Sequence, residues 1–202
     1  MIIVGVTGLP CSGKSLAAAM LTSGKITGVR GGLIKADDLG HAVLERPEVV
    51  RKLTERFGDG ILADGGGGAM RRRIAERVFS NPGELAWLEG LVHPLVAEET
   101  ERILTGLQEG MAVIEAALLF AAGMERLCER VLVLEADLPI RLRRAAGRGW
   151  SREELERRDR RQSVLFAPDR LAAMGGKIAI VPNNSDENDL VDELRRAMRK
   201  EM

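Results

Sequence analysis

The chain has 202 residues, of which 45% are hydrophobic and 30% are charged, the balance of an ordinary folded domain. Its 30 basic and 30 acidic residues cancel, which removes any global electrostatic reason to expect nucleic acid or an anionic membrane as a partner. The two cysteines lack the spacing of a metal site, and no stretch holds the roughly 18 apolar residues of a membrane span. The apolar start of the chain is too short for a signal peptide, so we expect a cytoplasmic protein.

Strand-like and helix-like segments alternate, which predicts an α/β fold with a parallel sheet. The predicted strands are Ile2–Thr7, Leu33–Ala36, Ala112–Glu115, Arg130–Leu134 and Lys177–Val181. Between the second and third strands the pattern is almost entirely helical, which indicates a substrate-binding subdomain. In that region Pro47, Pro82 and Pro94 are each predicted to open a helix, and Gly65–Gly68 to form a flexible connection.

The strongest motif is Gly8–Ser15, which fits the GxxxxGK[S/T] pattern between a predicted strand and a predicted helix. Its glycines allow the backbone N–H groups to surround phosphates, and the helix that follows adds its positive N-terminal end. Lys14 is expected to contact the β- and γ-phosphates, and Ser15 to ligate Mg²⁺. The residues expected at the nucleotide are Gly8, Pro10, Cys11, Ser12, Gly13, Lys14, Ser15 and Leu16.

A GTPase is the first alternative, because Asp37–Gly40 reads DxxG. The guanine-specifying Asn-Lys-x-Asp motif is absent from the sequence, since Asn183–Asp186 lacks the lysine. DxxG alone more often marks the start of a helix. ATP is therefore the predicted nucleotide.

Further segments follow the phosphate-binding loop in a fixed order. They are Phe57–Leu62, Arg77–Pro82, Trp87–Glu89, Val92–Val96, Leu118–Phe120, Arg158–Gln162 and Asn183–Asn184. In this order and spacing they resemble the dephospho-coenzyme A kinases across nearly the whole chain. The resemblance implies that ATP and Mg²⁺ are used to phosphorylate the ribose 3′-hydroxyl of dephospho-coenzyme A.

The resemblance also implies a P-loop NTPase fold of three α/β/α layers, like that of nucleoside monophosphate kinases. Its nucleotide core would be residues 1–36, 111–137 and 175–202, with a helical substrate subdomain at 37–110 and a helical lid at about 138–170. A monomer or a weak homo-oligomer is expected.

Several positions depart from the family pattern. The second strand of the family usually ends Asp-Ala-Asp, and the first Asp is regarded as the catalytic base, but this chain has Lys35 there. The family's Pro-Leu-Leu-x-Glu reads Ala117–Ala121 here and has lost both its Pro and its Glu, and an expected Asp is Met70. These changes lie on the acceptor side. A general base contributes about 10²–10⁴-fold, so its loss would leave a slow enzyme rather than an inert one.

Two other carboxylates are candidates for the catalytic role. Glu115 ends a predicted strand, where it would act on the Mg²⁺ shell or accept the proton, and Asp37 is the second candidate. The alternatives are a solvated strand end for Glu115 and a helix N-cap for Asp37. Lys35 is either an acceptor contact or a surface lysine.

The remaining site residues come from the resemblance. Arg144 and Arg148 would close over ATP, with Arg144 also stabilising charge on the transferred group. The expected acceptor contacts are Lys35, Asp37, Arg71, His93, Leu118 and Arg158. Two alternatives remain: a kinase of the same fold with a different hydroxyl acceptor, and a nucleotide-binding module without catalysis.

Overall fold

The computed structural model describes residues 1–62, 67–79, 81–107 and 109–199. Five parallel strands form one sheet in the order β2-β3-β1-β4-β5. The strands are β1 (Ile2–Gly8), β2 (Gly31–Lys35), β3 (Met111–Glu115), β4 (Arg130–Glu135) and β5 (Ile178–Pro182). The predicted parallel α/β fold is confirmed, and every predicted strand is present with ends shifted by one or two residues.

The helices outside the segment between β2 and β3 are α1 (Lys14–Thr22), α6 (Leu138–Ala146), α7 (Arg152–Gln162), α8 (Pro168–Ala173) and α9 (Glu187–Arg199). The other four are α2 (Ala36–Leu44), α3 (Pro47–Phe57), α4 (Gly67–Phe79) and α5 (Pro82–Gly106). Within α4 lie Gly67 and Gly68 of the predicted flexible connection, while Gly65 and Gly66 fall outside the described residues. Among the described residues, no helix is long and apolar enough to cross a bilayer.

One face of the sheet packs against α1 and α9. Val4 and Val6 of β1 are fully buried there, together with Leu21 of α1 and Leu194 of α9. Each fully buried aliphatic side chain contributes about 1.5–3 kcal/mol. This layer fixes the start of α1 at the carboxyl end of β1.

On the opposite face of β1, the core packs so closely against Gly5 that there is no room for a side chain at this position. A Cβ on Gly5 would lie 2.8 Å from Leu119 Cδ2 and 2.9 Å from Cys128 Sγ. We expect Gly5→Ala to cost about 1–3 kcal/mol because the core must shift to accept the methyl group. Urea unfolding measures the loss. Gly176→Ala is the control, since a Cβ there meets nothing within 4 Å.

Cys128 gives the protein a specific alkaline sensitivity. Burial, with a smaller contribution from Glu125, raises the pKa of its thiol from 9.0 to about 12, against the opposing charge of Lys177. Between these two values the unfolded thiol ionises while the folded one stays neutral, so the free energy of unfolding falls as pH rises through this window. The slope approaches about 1.4 kcal/mol per pH unit. Cys128→Ala should show a shallower loss in urea titrations between about pH 8 and 11. Parallel curves for the two proteins would contradict the assignment.

The chain divides into two compact units, one of Met1–Lys35 with Ile103–Met202 and one of Ala36–Arg102. We call them the sheet unit and the helical unit. In the helical unit, Phe57 and Trp87 meet edge to face with ring centroids 5.5 Å apart. This contact joins the end of α3 to the first turns of α5.

Pro94 does not open a helix as predicted but lies inside α5. A proline removes one backbone hydrogen bond and crowds the carbonyl four residues earlier. Here that residue is Gly90, and the helix continues because Val96, Ala97 and Thr100 beyond the proline are buried. The buried Thr100 hydroxyl also donates to Val96 O at 2.8 Å. Packing therefore overrides the local break.

Candidate active site

The segment Gly8–Ser15 turns from the end of β1 into the start of α1 through three residues with positive φ. Gly8 has φ +143°, Gly13 has φ +103° and Cys11 has φ +61°. A Cβ on Gly8 would lie 2.3 Å from the Leu134 carbonyl oxygen, so this position requires glycine. The result is a tight loop whose path is set by backbone conformation.

The first turn of α1 begins at this loop. Its N-cap is Gly13, which offers no side chain to satisfy the first N–H groups, and the first turn carries no acidic residue. Those N–H groups are the ones that bind anions at helix N-termini. The Lys14 ammonium donates to Gly8 O at 2.9 Å and Leu9 O at 3.1 Å, which keeps its charge at the loop. The segment therefore has the donors that a polyphosphate needs.

Ser15 and Glu115 form a pair beside the loop. The Ser15 hydroxyl donates to Glu115 Oε1. Glu115 Oε2 is buried and has no hydrogen-bond partner among the described residues. Glu115 ends β3 and is in register with Val6 of β1, which places it on the face of the sheet that carries α1.

The donor set of this pair fits Mg²⁺, which prefers oxygen ligands and commonly binds one or two protein carboxylates or hydroxyls together with nucleotide phosphates. An unpartnered buried carboxylate oxygen beside a hydroxyl supplies such ligands. Within the described ranges, no group of three His, Cys, Asp or Glu side chains could hold a metal alone. The arrangement suits an ion that arrives with a nucleotide.

Lys35 ends β2 and is in register with Glu115 of the neighbouring strand. Paired residues on adjacent strands point to the same face, so the lysine side chain leaves the sheet on the side of Glu115. Its side chain is exposed. A cation is thus placed next to the candidate metal ligand.

The predicted residues of the helical unit are distributed over three helices. Asp37 is exposed in the first turn of α2 rather than at its N-cap, since the helix begins at Ala36. Arg71 of α4 forms an ion pair with Glu45 at 2.6 Å. His93 is half-buried in α5, directly before Pro94.

The predicted lid arginines differ in their surroundings. Arg144 of α6 donates to backbone carbonyls of the phosphate-binding loop, and burial, followed by the charge of Arg143, lowers its pKa. Arg158 of α7 lies over the Trp150 ring at 4.3 Å and pairs with Glu154 at 2.8 Å, and Arg148 lies 6.0 Å from the same ring. Only Arg144 of these three contacts the loop in this structure.

Two side chains at the loop carry no role in the sequence-based prediction. Arg141 is buried, donates to Pro10 O at 3.4 Å and binds both carboxylate oxygens of Asp159 at 2.7 and 2.8 Å. Asn183, the first residue after β5, donates to Ser12 O at 2.7 Å. The sequence could have indicated Asn183, because it closely follows a predicted strand and ligands of α/β proteins bind at the carboxyl ends of the strands.

Leu118 follows β3 and is half-buried, while the next two residues, Leu119 and Phe120, belong to the core. Phe120 meets Phe166 with ring centroids 5.9 Å apart. A cavity of about 170 Å³ opens beside Phe166, lined also by Leu9 and the end of β4 with Asp137. It lies at the carboxyl edge of the strands.

The chain is similar in sequence to known members of one family. The family model described as dephospho-CoA kinase matches residues 2–183. A dephospho-CoA kinase of Deinococcus radiodurans is 38% identical over 79% of this chain and 75% of its own length. One from Idiomarina loihiensis is 32% identical over 98% and 92%. The crystal structure of TT1252 from Thermus thermophilus matches with a TM-score of 0.76 at 31% identity, covering 98% of this chain and 95% of that one.

Proposed function

The chain belongs to the dephospho-CoA kinase family, and on that premise we propose that it transfers the γ-phosphoryl group of ATP to the ribose 3′-hydroxyl of dephospho-coenzyme A. The products are coenzyme A and ADP. The observation that carries the proposal is the Ser15–Glu115 pair beside a phosphate-binding loop with open helix N–H groups. A phosphotransferase needs this combination of phosphate donors and metal ligands.

The nucleotide end of the site uses residues of the sheet unit. The backbone N–H groups of the loop would hold the phosphates, and Lys14, which donates to the Gly8 and Leu9 carbonyls, would neutralise the β/γ oxygens. Ser15 and Glu115 would hold Mg²⁺, which would neutralise negative charge on the phosphates. We assign Arg144 and Arg148 to the ATP side.

The acceptor end needs a group that takes the proton of the attacking hydroxyl. Glu115 uses one oxygen for Ser15 and is proposed for the metal shell, which leaves Asp37 as the proposed base. Asp37 is exposed and follows the last residue of β2 by two positions in the sequence. Lys35, Arg71, His93, Leu118 and Arg158 are proposed acceptor contacts, and Arg71 would exchange Glu45 for a substrate phosphate.

Lys35 also supports a second candidate, a kinase of the same fold that phosphorylates a different hydroxyl. A cation at the end of β2 changes the charge that the acceptor meets. The two candidates share ATP binding and differ in acceptor, so one assay with several acceptors separates them.

The test is an assay of ADP release with ATP, Mg²⁺ and dephospho-coenzyme A, with the product identified by mass. Lys14→Ala provides the background from contaminating kinases. Coenzyme A formation that depends on acceptor supports the proposal. ATP binding without turnover on dephospho-coenzyme A would reject it, and turnover on another alcohol would select the second candidate. We expect the enzyme in the cytoplasmic fraction of cells. Light scattering should show a monomer or a weak homo-oligomer.

A further inference from the structure

The segment Asn183–Asn184 has no role in the reaction as described, yet Asn183 is one of the few buried polar residues of the described chain. Its backbone N–H donates to Glu135 O at 2.7 Å, which fixes the residue at the end of β4. Its side-chain amide donates to Ser12 O at 2.7 Å and accepts from Arg144 Nη2 at 3.2 Å. Both the Nδ2 and the Oδ1 of this amide therefore form hydrogen bonds.

Arg144 completes the same network. Its Nη1 donates to Cys11 O and Ser12 O, each at 3.3 Å, and its Nη2 donates to Asn183 O at 3.0 Å. Arg141, one helical turn earlier, donates to Pro10 O. Carbonyls of three consecutive loop residues thus accept hydrogen bonds from outside the loop.

The bonds to Ser12 O have a consequence for the opposite side of the peptide group between Ser12 and Gly13. The N–H and C=O of a trans peptide point in opposite directions because the unit is planar. A donor that fixes a carbonyl outward therefore fixes the N–H of the following residue inward. It also polarises the amide, which strengthens the hydrogen bond that the N–H can make.

The approach of Asn183 to the loop is close. A Cβ on Gly13 would lie 2.0 Å from Asn183 Nδ2, so the glycine is needed here for the amide as well as for its positive φ. The Ser12 carbonyl that Asn183 holds belongs to the same peptide group as the Gly13 N–H. That peptide directly precedes Lys14 and the first turn of α1.

We propose that Asn183, together with Arg144, is a positioning residue that holds the peptide between Ser12 and Gly13 in the orientation that binds the nucleotide phosphates. The inference rests on the proposed use of this loop for ATP. It gives Arg144 a second role, in support of the loop. Asn183 touches the loop and not the reacting atoms, so its effect is expected on nucleotide affinity first.

The test compares two isosteric substitutions at neighbouring asparagines. Asn183→Asp replaces the donor to Ser12 O by a carboxylate oxygen while keeping the partner for Arg144. Asn184→Asp is the matched control, because the Asn184 Oδ1, which Asp also supplies, accepts from Asp137 N at 2.7 Å and its Nδ2 donates to no described residue. Calorimetric titration with ATP and ADP in Mg²⁺, without acceptor, should show a Kd raised about 10–50-fold for Asn183→Asp, as expected for one buried hydrogen bond replaced by repulsion. Asn184→Asp should bind as the unmodified protein.

A purely structural role predicts something different. Leu194→Ala removes a buried side chain of α9 from a core cluster that contains no residue of Gly8–Ser15, and it should lower Tm while leaving the nucleotide Kd unchanged. If Asn183→Asp binds nucleotide within twofold of the unmodified protein at a temperature where both are folded, the proposal is overturned. The same holds if its Kd change is matched by Leu194→Ala. Because these titrations contain no acceptor, failure to phosphorylate dephospho-coenzyme A would reject the proposed function without affecting this result.

The steady-state constants provide a second readout. Asn183→Asp is expected to raise KM for ATP by about the factor seen in Kd and to leave KM for dephospho-coenzyme A within about threefold. A rise in both constants would indicate a general loss of active-site structure and would contradict a role confined to the phosphate-binding loop.

Discussion

Replacing Glu115 with glutamine is expected to lower kcat by about 10²–10³-fold, the cost of removing one preorganised charge from a phosphoryl-transfer site. The substitution keeps the shape of the side chain and a partner for the Ser15 hydroxyl. It removes the negative charge at the buried oxygen that lacks a partner among the described residues. The Mg²⁺ concentration for half-maximal rate should therefore rise as well, because a neutral amide oxygen is a weaker ligand.

Glu125 provides a matched control for this substitution. It also has a buried, unpartnered Oε2 within the described chain, but it lies in the short 3-10 segment Met124–Leu127 and not beside Ser15. Glu125→Gln should leave kcat and the Mg²⁺ dependence within about twofold. Equal loss of activity in both variants would show that removing a buried carboxylate damages the fold, and the metal assignment of Glu115 would fail.

Lys35→Ala is expected to lower kcat/KM for dephospho-coenzyme A by about 10–100-fold, since a charge-assisted hydrogen bond is worth about 1.5–3 kcal/mol. The register with Glu115 places the ammonium on the face of the sheet where the transferred group is proposed to lie. Lys35→Arg keeps the charge and should retain most of the rate. Steady-state kinetics at varied concentrations of dephospho-coenzyme A give kcat/KM for the unmodified protein, Lys35→Ala and Lys35→Arg.

Charge reversal at the same position sharpens the prediction. Lys35→Asp would place a second carboxylate beside Glu115, which should lower the Mg²⁺ concentration for half-maximal rate. The exposed Lys25 is the control for loss of a surface lysine of the sheet unit. If Lys35→Ala behaves like Lys25→Ala, the lysine has no acceptor role.

The sequence predicted those parts of the molecule that depend on local pattern. The strand before Gly8, the loop and helix α1 follow from an apolar run and a glycine-rich motif, and Pro47 opens α3 as predicted. Pro94 was predicted wrongly because the burial of residues beyond it outweighs its local preference. Local pattern carries no information about such packing.

The partners of the loop could not be predicted for a related reason. Asn183 and Ser12 are 171 residues apart, and Arg144 and Ser12 are 132 apart. An asparagine after a strand and an arginine on a helix suit many environments, including a solvated surface. Only the strand order, with β4 between β1 and β5, brings these three residues together.

The central position of β1 has a consequence for synthesis on the ribosome. This strand is translated before both of its neighbours, β3 and β4, so Ile2 cannot pair with Met111 until the whole helical unit has been made. At about 5–20 residues per second this leaves an unpaired apolar strand waiting for roughly 5–20 s. During that interval Val4 and Val6 lack the β3, β4 and α9 residues that bury them in the folded protein, so the exposed strand is open to pairing with a wrong strand.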